Sequence, residues 1–297
     1  LPLEPFIRSK YFGRRTTRRN DLVNDSWMTD SGRALFKSVK SKDRLLEPSV
    51  KGQPMKLDQA LSEAASFLKD GKLAVVGSAR STIEELHLLN QISLKTKAKK
   101  YLRGHFGEDD GILLSADRTP NLRGALATGF SKTYPKDDLS ALNQALRKKQ
   151  FDCLLVINED LEDGAVEADS LKGVKVIYLG THTNSTSELS DVVLPALTSF
   201  EKSGSFINRG FFAQSFEQSV PGPAGLLPDL QIFCKLLEAL DPENQYSSDL
   251  NQIWKELAKK SNSVFKGIRF SDLLKDAVLL DGSKWENLPF AEKIAIS

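Results

Sequence analysis

Short, mostly apolar runs recur along this chain, and segments with helical spacing lie before, between and after them. The runs are Leu73-Ala74-Val75-Val76, Cys153-Leu154-Leu155-Val156-Ile157, Val174-Lys175-Val176-Ile177-Tyr178-Leu179-Gly180 and Asp191-Val192-Val193-Leu194-Pro195. A strand with one wet face alternates apolar and polar residues, whereas a strand covered on both faces reads as a nearly continuous apolar run. Before the first run, Leu57, Ala60, Leu61, Ala64, Ala65 and Leu68 share one helical face, and after it Ile83, Leu86, Leu89 and Ile92 share another. Leu139–Leu146 and Leu226–Leu240 are helical in pattern, the latter opening at Pro228-Asp229. Asp70-Gly71 stops the first helix, and Ser81-Thr82-Ile83-Glu84 reads as a capping box with Ser81 as N-cap. Strands alternating with helices predict an α/β fold with a mostly parallel sheet and helices on both faces.

Composition sets the remaining bounds. The 297 residues suffice for one large domain or two ordinary ones, and the formal net charge of +2 carries no global field toward nucleic acid. Cys153 and Cys234 lie in apolar surroundings and read as buried, reduced thiols, without metal-ligand spacing to each other or to His87, His105 and His182. No apolar run reaches the roughly 18–20 residues that span a bilayer, so no direct membrane span is expected, and no signal peptide is visible. The first residue is Leu1, as in a processed product or a fragment. Arg8, Lys10, Arg14, Arg15, Arg18 and Arg19 form a basic arm, either for nucleic acid or for docking on an acidic partner. The short run and the balanced charge elsewhere favour the partner. After the break at Asp241-Pro242-Glu243-Asn244, two amphipathic helices are expected around Leu250–Lys260 and Phe270–Ala277, with Trp254, Leu257 and Phe265 packing back on the body.

Three segments invite a ligand. Gly77 and Ser78 follow the first strand, where a helix N-terminus can hold a phosphate. The turn has a single glycine and no Walker lysine, so a plain capped turn is the competing expectation. Gly180 and Thr181 begin a polar loop, through Ser187, at the carboxyl end of another strand, where open α/β sheets bind ligands. His182 in that loop has no acid or nucleophile near it in sequence, and the loop reads equally as a cap for the next helix. Glu201–Gly210 places Lys202, Asn208 and Arg209 among glycines and aromatics; composition alone gives a tight turn.

Longer patterns carry a resemblance. Ser190-Asp191-Val192-Val193-Leu194-Pro195-Ala196, then Glu201-Lys202-Ser203-Gly204-Ser205-Phe206-Ile207-Asn208, then Pro221-Gly222-Pro223 and Pro228-Asp229-Leu230, resemble a signature of molybdopterin oxidoreductases. Val23–Arg33 is similar to the segment that closes the iron–sulfur subdomain in that family. Asp117-Arg118-Thr119-Pro120-Asn121 resembles a stretch of the large iron–sulfur subunit of NADH-quinone oxidoreductase, respiratory complex I, and Leu45–Val50 with Ala60–Ala64 echo the passage between them. The resemblance implies a remnant of the iron–sulfur subdomain over residues 1–50, a molybdopterin-oxidoreductase-like α/β domain over 51–240, and a helical tail over 241–297.

The departures from the family matter as much. Thr29 stands where the family has its last cluster cysteine, and a neutral hydroxyl is a poor iron ligand. The stretch between Gly129 and Val156 is short, and nothing after Leu240 resembles the family's C-terminal barrel. The expectation is therefore a non-catalytic structural or accessory module of an NADH-quinone oxidoreductase-like complex, with no cofactor and other subunits as partners. It would be cytoplasmic, free or peripheral at the inner membrane. Trp27, Asp30 and Arg33 would hold the remnant to the body. The competing expectation is an oxidoreductase that keeps a molybdopterin guanine dinucleotide, or another nucleotide, on Gly77, Ser78, Gly180, Thr181, Lys202 and Asn208.

Overall fold

The strands of the main sheet form where the apolar runs predict them, because both faces of the sheet are covered. The computed structural model describes residues 3–8, 11–17, 19–111, 114–260 and 263–285, with backbone only up to residue 17. Along the chain these form β1 (Leu3–Arg8), β2 (Tyr11–Thr17), α1 (Asp30–Ala34), β3 (Ser49–Val50), β4 (Gln53–Pro54), α2 (Leu57–Lys69), β5 (Leu73–Ser78), α3 (Ile83–Lys95) and β6 (Lys99–Arg103). There follow α4 (Leu122–Ala127), α5 (Ser140–Arg147), β7 (Cys153–Ile157), β8 (Lys175–Gly180), α6 (Ser185–Leu189) and β9 (Val192–Pro195). The chain continues with β10 (Gly204–Ile207), β11 (Phe212–Phe216), α7 (Asp229–Leu240), α8 (Leu250–Lys259), α9 (Phe270–Leu273) and β12 (Val278–Leu279).

Among the described residues the main sheet has the order β4-β3-β9-β8-β7-β5-β6. The stretch from β9 to β6 is parallel, with Leu73 opposite Cys153 and Leu155 opposite Ile177. A small antiparallel hairpin, β3–β4, covers the β9 edge. Alternate residues of each strand enter two cores. Leu73, Val75, Cys153, Leu155, Ile177 and Leu179 meet α2, α3, α7 and α8. Ala74, Val76, Leu154, Val156, Val176 and Tyr178 meet α5 on the other face. Both cysteines are free and buried, and burial pushes both thiols up to about 12.

Chain order reverses between β5 and β7. From β5 the chain steps one way to β6, then returns to β7, β8 and β9 on the other side. The carboxyl ends of β5 and β7 therefore flank a switch-point crevice, the place where open α/β sheets bind ligands.

Several expectations change here. The N-cap of α3 is Thr82, not Ser81: Thr82 is extended, accepts from the Glu85 amide, and Glu85 bonds back to complete the box. Ser81 instead closes the preceding turn on the Ser78 carbonyl. The helix expected over Phe270–Ala277 stops at Leu273, and β12 follows, pairing with β11. The stretch expected as a tight turn over Glu201–Gly210 holds strand β10, and only its last residues, from Asn208, belong to the tip of the antiparallel hairpin β10–β11. β6 went unread, since Lys99-Lys100-Tyr101 lies half exposed at the sheet edge. Trp27 does not anchor the N-terminal segment: it is 68% exposed, Asp30 and Arg33 are exposed too, and Met28 is the buried residue of that stretch. Thr29, at the cluster-cysteine place, caps α1 by accepting from the Gly32 amide at 3.2 Å. Of the basic arm only Arg19 has a described side chain; it is exposed and pairs with Asp21. The side chains of Arg8, Arg14 and Arg15, together with Lys10 and Arg18, lie outside the described residues.

Candidate functional site

The six residues singled out from the sequence fall into three places. Gly77 and Ser78 end β5, and Gly180 and Thr181 follow along the same carboxyl edge at the end of β8. Lys202 lies on the other side of the α3 N-terminus, against α3 and α7, and Asn208 sits at the hairpin tip.

At the carboxyl edge the chain fills its own crevice. Ser78 Oγ donates to Glu159 Oε1 at 2.6 Å, and His105 Nε2 donates to Glu159 Oε2 at 2.8 Å. Arg103, the last residue of β6, approaches the same carboxylate at 3.8 Å. Its guanidinium is fixed by the carbonyls of Asp137, Asp160 and Asp163. Asn158 accepts from the Thr181 amide at 3.1 Å and so ties the ends of β7 and β8. The Thr181 hydroxyl meets His182 Nδ1 at 2.8 Å, while His182 Nε2 donates to the Ser38 carbonyl at 2.9 Å. His182 is thus a clasp for the N-terminal segment rather than a base. The rest of its loop caps α6 through Asn184, as the plainer expectation had it. Both glycines make room for aromatic rings of the chain itself. A Cβ on Gly77 would lie 2.6 Å from Phe130, and one on Gly180 would lie 2.3 Å from Tyr178.

The N-terminus of α3 is likewise occupied from within. Its positive end attracts anions, and its first turn supplies two, Glu84 and Glu85, both buried. Glu84 accepts from Ser205 Oγ at 2.5 Å, the Ser205 amide at 3.1 Å and Trp254 Nε1 at 2.7 Å. Burial still pushes this carboxyl above its usual range, against the pull of those donors. Glu85 shares the Lys202 ammonium with Asp229. Burial raises Glu85 to about 7; Lys202 works against that shift and Asp229 adds to it. Burial would lower Lys202, but Asp229 and Glu85 outweigh it and hold the ammonium charged. A cavity of about 330 Å³ opens beside this triad, between Leu197, Leu226 and Gln231, near the lower limit for small-molecule sites.

The signature segment is spent residue by residue on the fold. Glu201 forms a buried bidentate pair with Arg44, at 3.1 and 3.0 Å, and accepts from Thr198. Lys202 holds α3 to α7. Ser203 Oγ accepts from the Gln218 amide at 2.9 Å, and Ser205 binds Glu84. The Ile207 amide donates to Asn121 at 2.8 Å. Asn208 accepts from the amides of Gly210 and Phe212, closing its own hairpin. Sequence reasoning missed Arg44, Glu84, Glu85, Arg103, His105, Glu159 and Asp229. Their partners are far away in the chain, and nothing local distinguishes them from solvated charges. A pterin dinucleotide needs donors aimed outward along these turns. Ser78, Thr181 and Lys202 are bonded to groups of the chain itself, the Asn208 oxygen closes its own hairpin, and the space left by Gly77 and Gly180 is filled by rings. These six residues do not form a cradle for that group.

Comparison with known proteins agrees with this architecture. A subunit of the NADH-quinone oxidoreductase of Pseudomonas fluorescens is 34% identical over 91 residues, a match that spans 30% of this chain and 10% of that protein. The acetylene hydratase of Pelobacter acetylenicus superposes with a TM-score of 0.51 over 94% of this chain and 72% of its own, at 10% identity, which shows the fold alone. The family model for molybdopterin oxidoreductases matches residues 78–239. That segment is more than half of the chain and runs from the end of β5 to the end of α7, so it contains the switch-point crevice, the signature hairpin and the Lys202 triad, and this chain belongs to the molybdopterin oxidoreductase family.

Proposed function

We propose that this chain is a non-catalytic structural or accessory module of an NADH-quinone oxidoreductase-like electron-transfer complex. One observation carries the proposal: from Glu201 to Asn208 the polar side chains of the family signature serve internal ion pairs, caps and turns. Residues kept for a cofactor would leave donors facing outward. These hold α3, α7 and the hairpin together, a task that persists when chemistry is given up. Thr29 supports the same view, since its hydroxyl caps a helix at the place of a cluster ligand. The partners would be other subunits of the complex, in keeping with the Pseudomonas fluorescens relative, itself one subunit of an NADH-quinone oxidoreductase. Among the described residues no helix is long and apolar enough to cross a membrane. We place the chain in the cytoplasm, attached to the inner membrane through its complex.

The test is the metal and pterin content of natively purified protein, by elemental mass spectrometry and by fluorescence of the oxidised extract, together with native electrophoresis of the source lysate. Absence of stoichiometric molybdenum, tungsten and pterin, with the chain migrating in a large assembly, supports the proposal. Pterin near one per chain overturns it.

A further inference from the structure

Glu159 has no local reason to be where it is. It follows β7 by two residues, in a stretch of acids that would be at home in water, yet it is 1% exposed. The chain is bent to put it there. Asn158, between β7 and Glu159, has a φ of 49°, in the left-handed region that Asn tolerates better than most residues. From that bend the carboxylate turns into the switch-point crevice between β5 and β7, where open α/β sheets receive ligands.

The groups that meet it come from two neighbouring strands, β5 and β6, or the loop that follows β6. Ser78 ends β5 and gives a hydroxyl donor at 2.6 Å, while its Oγ accepts from the Arg80 amide at 3.1 Å. Arg103 ends β6 and brings a guanidinium to 3.8 Å, held in place by its carbonyl partners and by the Asp163 carboxylate at 2.7 Å. His105, two residues on, gives a ring N–H at 2.8 Å and keeps the outermost, 16% exposed position. A hydroxyl, an imidazole and a guanidinium converging on one point are the donors that recognise a phosphate or a carboxylate.

We propose that the switch-point crevice is an anion-binding site that the chain fills with its own Glu159, and that removing this carboxylate opens it to a small oxyanion of the phosphate class. The site stands apart from the scaffold role proposed above, since it concerns what occupies one crevice and not whether the protein catalyses a reaction.

The experiment compares the full chain with Glu159→Ala and with Glu159→Ala/Ser78→Ala, by thermal melting in inorganic phosphate against chloride at equal ionic strength. Phosphate should raise the melting temperature of Glu159→Ala saturably, by roughly 5 °C, and leave the parent chain unmoved. Loss of the Ser78 donor should weaken phosphate binding roughly fivefold. An equal response of parent and Glu159→Ala, no response of either, or equal binding by the single and double variants overturns the proposal. Should Glu159→Ala fail to fold alone, refolding from denaturant decides. Recovery in phosphate but not in chloride supports the site, and equal yield or no yield in both overturns it.

Discussion

The indole Nε1 of Trp254 donates to Oε1 of Glu84 over 2.7 Å, and both side chains are shut away from water. This bond joins the first turn of α3 to α8, across 170 residues of sequence. The Trp254 ring also meets Phe265 edge-on at 5.2 Å, so the C-terminal helices are part of the main core. Trp254→Phe keeps most of the ring but removes the donor from a buried carboxyl. It should cost about 2 kcal/mol in denaturant unfolding. In a double-mutant cycle with Glu84→Gln the two losses should fall short of additivity by about 1 kcal/mol.

Glu85 predicts a pH dependence whose sign is fixed. Its carboxyl titrates near 7 in the folded chain, because burial disfavours the charged form, against 4.5 as the ordinary value. Between those values the folded state holds a proton that the unfolded state has lost. The contribution of Glu85 is therefore complete below the ordinary value and falls as pH rises toward and through 7, by at most about 3 kcal/mol. Glu85→Gln should remove that part of the slope. Between pH 5 and 8 the parent should lose stability relative to the variant as pH rises, and parallel curves would refute the assignment.

Arg44 and Glu201 form the buried pair that ties the N-terminal segment to the signature. Arg44→Ala strands a carboxylate in the interior and should destabilise by about 3–5 kcal/mol. Replacing both by Met and Leu should cost far less, since no charge is left alone. Chemical denaturation of the two variants gives the comparison directly.

Gly77 and Gly180 separate packing from ligand binding. Gly77→Ala drives a methyl into the Phe130 ring and should cost about 1–3 kcal/mol by overpacking. Adding Phe130→Leu should recover a good part of that loss. A glycine kept only for a ligand's approach would show neither the loss nor the rescue, which melting temperatures of the three proteins would reveal.

How much of this was legible in the sequence depended on distance along the chain. β7 runs over the residues that its apolar run marks, since both of its faces are covered and no polar atom interrupts it. The β10–β11 hairpin was hidden, because buried Ser205 and Ser215 break its pattern. Their partners, Glu84 and the Leu273 carbonyl, lie 121 and 58 residues away. The strand ends at Ser78 and Gly180 could be named in advance from the rule for parallel sheets. That Glu159 would reach back across 81 residues to Ser78 could not. Glu84 and Glu85 read as ordinary first-turn acids, and only the packed structure turns them into interior charges.

The outer strand β6 has a consequence for solubility. Among the described residues it closes the sheet on the side opposite the β3–β4 hairpin, and its outer backbone edge could template another chain. The first two residues of that strand are Lys99 and Lys100, preceded by Lys97 in a left-handed bend. Lys100 turns inward, donating to Asn90 at 2.7 Å and to the Gly129 carbonyl at 2.8 Å, so exposed Lys97 and Lys99 are the charges that two identical molecules would bring together edge to edge. The lysines that hid the strand from sequence analysis thus set like charges where another copy would add onto the sheet.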